Sequence, residues 1–268
     1  MNIRFGRFFL TISMLLTLAG RAWAQGSDVP VYVGFDHLTL EVNDVARSAD
    51  FYSRVFGAEV WQSGDENYLV LGKSYLRLRR NDPPRVAQMG LGVQNFTPST
   101  LQGYLEREAL RWQAEAGDAA LWVEDRDGVR SFLLPADSWA QVSATATRQS
   151  AATDAIFKPL HLDEIGLSVT NLEVDSLFYA RLLGRTGVLQ AGALWFDFGN
   201  SRLRLSQTPV GQKPGVSYFS ILIANTDLEE AANAVFAAGG IIETLLPNGF
   251  SFWDPDGLRV EVHTTPML

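Results

Sequence analysis

The chain repeats itself at one fixed spacing, and that repeat limits its fold more than any other feature. Phe35-Asp36-His37-Leu38-Thr39-Leu40-Glu41-Val42-Asn43-Asp44-Val45 is answered 127 residues later by Leu162-Asp163-Glu164-Ile165-Gly166-Leu167-Ser168-Val169-Thr170-Asn171-Leu172. At the same offset, Phe51-Tyr52-Ser53-Arg54-Val55-Phe56-Gly57 falls on Phe178-Tyr179-Ala180-Arg181-Leu182-Leu183-Gly184. Ser74-Tyr75-Leu76-Arg77-Leu78 falls on Ser201-Arg202-Leu203-Arg204-Leu205. Three matches at one offset mark a duplication, so the two halves must fold alike.

Each copy reads the same way locally. His37, Thr39 and Glu41 alternate with Leu38, Leu40 and Val42, the period of a half-buried strand. Ala49, Tyr52, Val55 and Phe56 then recur at helical spacing, and Gly57 and Gly184 stand where a helix ends in a left-handed residue. Strands are predicted around Tyr68–Leu71 and Trp195–Phe198, with Gly72 or Gly199 turning the chain into the next strand. A weaker half-unit follows inside each copy. Met89–Val93 and Phe219–Ile223 are its first strands, and helices open at Pro98-Ser99-Thr100 and Asp227-Leu228-Glu229. Asp125-Arg126-Asp127-Gly128 and Asp254-Pro255-Asp256-Gly257 then form turns before closing strands. The expectation is an α+β chain of four βαβββ units in two pairs.

The first residues read as a leader. Arg4 and Arg7 precede an apolar run from Phe8 to Leu18, and Ala22-Trp23-Ala24 offers a small-x-small cleavage site before Gln25. That run is too short to cross a bilayer, which takes about 20 apolar residues. The expected organisation is a signal peptide over 1–24, one domain over 25–144, a linker rich in Ala, Ser and Thr over 145–158, and a second domain over 159–268. Export makes the mature protein periplasmic or secreted. Cleavage removes three arginines and no acid, taking the formal charge from −8 to −11. Such an acidic chain, with no basic run, is not built for nucleic acid or anionic membrane. Cysteine is absent, which excludes disulfides and thiolate metal sites.

Phe35-Asp36-His37-Leu38, the two Phe-Tyr-x-Arg-x-x-Gly helices and Asp254-Pro255-Asp256-Gly257-Leu258-Arg259-Val260-Glu261 resemble the vicinal oxygen chelate superfamily of glyoxalase I, bleomycin-resistance proteins and extradiol dioxygenases. The resemblance implies that paired units curl into an open barrel around a cavity. It also implies that any metal is held by residues on the first and last strands of the units. Four units is the length of extradiol dioxygenases, whose chemistry sits in the C-terminal pair.

Carried over residue by residue, the matching N-terminal positions are His37, Arg77, Gln88 and Phe132, of which only His37 and Gln88 could ligate. The C-terminal positions are Glu164, Arg204, Ser220 and Glu261, with His263 on the face of Glu261. Glu164, Glu261 and His263 form the candidate metal set for Fe, Mn, Zn or Ni. The competing reading pairs the two carboxylates with Arg204 and leaves the cavity without a metal. Phe196, Phe198, Phe219, Phe250, Phe252 and Trp253 crowd the C-terminal copy; most are expected to be core or inter-unit packing, with an aromatic bowl above Arg204 and Glu261 to which Trp195 and Phe219 contribute. The ligand pocket is therefore placed on Glu164, Arg204, Ser220, Trp195, Phe219 and Glu261.

Three functions remain open at this level. The favoured one is an exported binder of a small, partly aromatic or carboxylated molecule, with a degenerate metal site and no cofactor. The alternatives are a divalent-metal dioxygenase or lyase/isomerase, and a structural or interaction domain. The expected partner is a small molecule, with a homodimer left open.

Overall fold

The computed structural model describes residues 29–115, 119–150 and 157–264. The expected leader and its cleavage point, and residues 151–156 of the expected linker, lie outside the described residues. In the first half, β1 (Tyr32–Val42), α1 (Val45–Phe56), β2 (Val60–Ser63), β3 (Glu66–Leu71) and β4 (Ser74–Arg80) make one βαβββ unit. A second consists of β5 (Arg85–Val93), α2 (Pro98–Arg107), β6 (Trp112–Ala114), β7 (Leu121–Glu124) and β8 (Arg130–Pro135). The second half repeats both, as β10 (Pro159–Val169), α4 (Leu172–Leu183), β11 (Val188–Gln190), β12 (Ala193–Phe198) and β13 (Ser201–Gln207), then β14 (Gly215–Ile223), α5 (Leu228–Ala237), β15 (Ile241–Leu246), β16 (Gly249–Trp253) and β17 (Arg259–His263). The α+β architecture of four βαβββ units is as expected.

Each half builds one sheet around its two first strands. β1 pairs antiparallel with β5 and parallel with β4, while β5 pairs parallel with β8. β10, β14, β13 and β17 repeat that arrangement. First and last strands of the two units therefore lie side by side at the centre. Alternation then sorts the residues. Leu38, Leu40, Leu76, Leu78, Met89 and Leu91 enter the core, as do Leu203, Leu205, Phe219, Ile221, Val260 and Val262. The other face of each sheet, its cup, carries the polar residues, among them His37, Thr39, Glu41 and Gln88 in the first half and Glu164, Ser220, Glu261 and His263 in the second.

Two elements of the first half have no counterpart among the described residues of the second. Trp139–Thr145 folds into a helix, α3, and Thr147–Ser150, inside the expected linker, forms β9 and pairs with β2. The edge of the first sheet is thus extended, whereas the equivalent strand β11 is exposed.

The halves interlock as a pseudo-twofold pair, and the recurring motifs make the joint. Ser74 Oγ donates to the Phe35 carbonyl and accepts from Leu162 N–H (2.8 and 3.2 Å). Ser201 Oγ reciprocates, donating to the Leu162 carbonyl and accepting from Phe35 N–H (2.9 and 3.2 Å). At this crossing a Cβ on Gly72 would stand 2.1 Å from the Leu160 carbonyl oxygen, and one on Gly199 2.1 Å from the Val33 carbonyl carbon. Both glycines also have positive φ, so the turn and the close approach require the same residue.

The aspartate turns belong to this joint as well. Asp125 and Asp254 each accept two backbone N–H groups of their own turn, as a turn aspartate should. Each also accepts a phenol from the other half: Tyr179 to Asp125 at 2.7 Å and Tyr52 to Asp254 at 2.8 Å. The tyrosine of each Phe-Tyr-x-Arg-x-x-Gly helix is thus a clasp between halves. Among the described residues, no helix is long and apolar enough to cross a membrane.

Candidate functional site

The N-terminal cup is closed by its own side chains. His37 Nδ1 lies 2.9 Å from Asp36 Oδ2, and its ring stacks on Tyr75 at 4.9 Å. Ser138 Oγ donates to the same Asp36 oxygen at 2.7 Å. Trp139 packs against Tyr75 and Trp61, at 5.2 and 5.7 Å between ring centroids, so α3 caps this cup. Arg77 makes a two-pronged bond to Glu66, Nε to Oε2 at 2.8 Å and Nη2 to Oε1 at 2.7 Å, and Tyr68 donates to Glu66 as well. Gln88 accepts from Thr39. Burial tends to raise the Glu41 carboxyl, but hydrogen bonds and charge from Arg85 and Arg79 win and hold it below the usual carboxylate range.

The C-terminal cup carries a different set. Glu164 on β10 is fully buried, receives the Tyr218 phenol on Oε1, and has no partner for Oε2. Burial pushes its carboxyl above the usual range, although Tyr218 and Arg202 pull the other way. Burial, then the Glu164 charge, pushes the Tyr218 phenol well up. Tyr218 lies across Gly166, where a Cβ would stand 2.0 Å from the ring. Around it runs a ladder of guanidinium groups and rings. Arg202 and Arg204 lie over Trp195 at 5.4 and 5.6 Å, and Arg204 and Arg259 over Tyr218 at 5.9 and 5.3 Å. Such contacts contribute about 0.5–2 kcal/mol each, more as water is excluded.

Glu261 on β17 bonds Arg259 Nη1 at 2.5 Å and lies 3.3 Å from His263 Nε2. Burial acts to raise its carboxyl, but His263 and Arg259 hold it below the usual range. Arg259 also bonds Glu243 at 2.6 Å. Ser220 Oγ and Arg204 Nε are buried without a partner, like Glu164 Oε2.

The geometry corrects two sequence readings. Phe219 does not line the cup: it pairs with Val260 and is fully buried in the core on the opposite face, where Phe196, Phe198, Phe250 and Phe252 lie as expected. An apolar run through β14 conceals which face each residue takes. Ser220, moreover, is not the counterpart of Gln88. Gln88 pairs with Thr39 on β1, and Tyr218 with Gly166 on β10, the residue 127 beyond Thr39. The position matching the first-strand ligand site is therefore Tyr218, which the sequence reading missed. The strand register of β14 would have revealed it.

These residues do not fit a divalent cation. Among the described residues no group of three or more His, Asp or Glu side chains is arranged to hold one. Glu261 and His263 do come together, but Arg259 occupies the carboxylate, and Tyr218 occupies one oxygen of Glu164. Three guanidinium groups in the same cup oppose a further positive charge.

Paired βαβββ units, a polar cup in each half and a pseudo-twofold joint define a double-barrel protein of the vicinal oxygen chelate type. The sequence profile of the Glyoxalase/Bleomycin resistance protein/Dioxygenase superfamily matches residues 34–170, and the chain belongs to that superfamily. Its fold is similar to that of a catechol 2,3-dioxygenase, with TM-score 0.68 and 18% identity over 87% of this chain and 88% of that one. The 2,3-dioxygenase LapB from Pseudomonas sp. KL28 is similar at TM-score 0.67 and 16% identity, over 89% and 94% of the two chains. An extradiol ring-cleaving dioxygenase from B. fuscum is similar at TM-score 0.68 and 16% identity, over 89% and 73%. No curated protein matches the chain in sequence.

Proposed function

We propose that this chain is an exported, two-domain binder of a small organic molecule, which it holds in the C-terminal cup without a metal. The observation that carries this reading is the set of four buried polar atoms without partners there, Glu164 Oε2, Ser220 Oγ, Arg202 Nη2 and Arg204 Nε. An unmet buried polar group costs about 1–3 kcal/mol, and a bound molecule bearing donors and acceptors removes that cost. Trp195 and Tyr218 supply flat apolar surface beside them. In the N-terminal cup the equivalent Arg77 keeps its acid, Glu66, and Trp139 packs over Tyr75 and Trp61. Solved proteins of the same fold are named for catechol, which is consistent with a small aromatic guest.

Elemental analysis of protein purified without chelator is expected to find no stoichiometric Fe, Mn, Zn or Ni. A full equivalent that disappears in Glu261→Ala would replace this reading with that of a metal-dependent dioxygenase or lyase. The export part predicts mature protein outside the cytoplasm beginning at Gln25. Recovery of the chain in the cytoplasm with Met1 intact would refute it.

A further inference from the structure

We propose that the guest carries a carboxylate, and that this carboxylate takes the place on Arg204 that Glu66 occupies on Arg77. The inference rests on the C-terminal cup being a ligand site, and its evidence comes from comparing the two halves. Arg77 and Arg204 are equivalent under the 127-residue repeat, as are Tyr68 and Trp195, and each pair sits in the same strand register. In the first half Glu66 is held by Arg77 Nε and Nη2 and by the Tyr68 hydroxyl. In the second half Ala193 stands at the Glu66 position, and Trp195 replaces the tyrosine whose hydroxyl held it. The acid and one of its donors are gone, while the guanidinium stays.

Arg204 is left with one long contact to the Tyr218 hydroxyl, 3.5 Å, and its buried Nε has no acceptor. No carboxylate forms an ion pair with it among the described residues. This is the same nitrogen through which Arg77 holds Glu66. A planar carboxylate meets a guanidinium through two parallel hydrogen bonds, the geometry the first half displays. Trp195 and Tyr218 flank Arg204 at 5.6 and 5.9 Å, so the body of the guest meets ring faces. Access differs between the halves too. β9 and α3 border the first cup, but β11 and the Ala191–Gly192 turn beside the second are exposed.

The test is calorimetric titration of the mature chain with benzoate and with its neutral isostere benzamide, in wild type, Arg204→Gln and Ala193→Glu. Benzoate is expected to bind the wild type at least about tenfold more tightly than benzamide. Arg204→Gln is expected to erase that preference. Ala193→Glu is expected to block benzoate by supplying the missing acid from within, as Glu66 does for Arg77. Because Ala193 is buried, circular dichroism must show that this variant folds, and Arg204→Gln decides if it does not. Equal binding of the two probes would overturn the carboxylate assignment and leave the cup as a ligand site. Benzoate binding that survives Arg204→Gln would place the anion elsewhere and also overturn it. Failure of both probes to bind would overturn the cup reading as well.

Discussion

Asp254→Asn should make the protein less sensitive to pH, and the size of the change follows from the clasp. Burial is the main cause that raises the Asp254 carboxyl from 3.8 to about 6, while bonds from Leu258 N–H and Tyr52 oppose it. A carboxyl raised on folding binds its proton more tightly in the native state. The stabilisation that this provides is complete below the unfolded value near 3.8 and is lost as pH rises through about 6. A shift of that size corresponds to about 3 kcal/mol, most of which disappears between pH 4 and pH 8. Asparagine keeps an oxygen for the Asp256 and Leu258 N–H groups, offers Tyr52 a donor, and carries no charge to bury. Urea midpoints measured from pH 4 to pH 8 should therefore show Asp254→Asn gaining on wild type by about 2–3 kcal/mol as pH rises. Other buried carboxyls titrate in both proteins and cancel in the difference. A difference that stays flat with pH, or that turns against the asparagine at high pH, would refute the reasoning.

Three further outcomes are expected. Gly72→Ala should cost at least about 3 kcal/mol, because its Cβ meets backbone as well as a positive φ, whereas Gly64→Ala, with open space around it, should cost only about 1 kcal/mol. Comparing thermal midpoints separates the clash from the conformation, and equal losses would mean that the crossing is looser than described. Glu66→Ala should destabilise by about 1–2 kcal/mol in chemical denaturation, since Arg77 loses both charge-assisted bonds in a half-buried place. EDTA should leave the thermal midpoint unchanged, and a drop of several degrees would point to a structural cation.

Some of the cup was legible in the sequence and some was not. Glu164, Arg204 and Glu261 were identifiable through the resemblance to the family, and Trp195 because the 127-residue repeat sets it at the place of Tyr68. Phe219 was placed in the cup and Tyr218 was overlooked because Val216 to Ile223 is largely apolar, and a period of two is lost in such a run. The helix α3 escaped notice because it spans only seven residues, too few to show helical periodicity.

Sequence by itself determined the duplication, the four βαβββ units, the glycine turns and the scarcity of histidine, three in the whole chain. These are local or periodic properties, written in spacing and residue type. Only the tertiary structure decided that the helix tyrosines clasp aspartates of the opposite half, that Trp139 closes one cup, and that Arg204 is left without the acid that Arg77 keeps. Those depend on strand register and on contacts between separate elements, as far as 202 positions apart, and neither leaves a mark on local pattern.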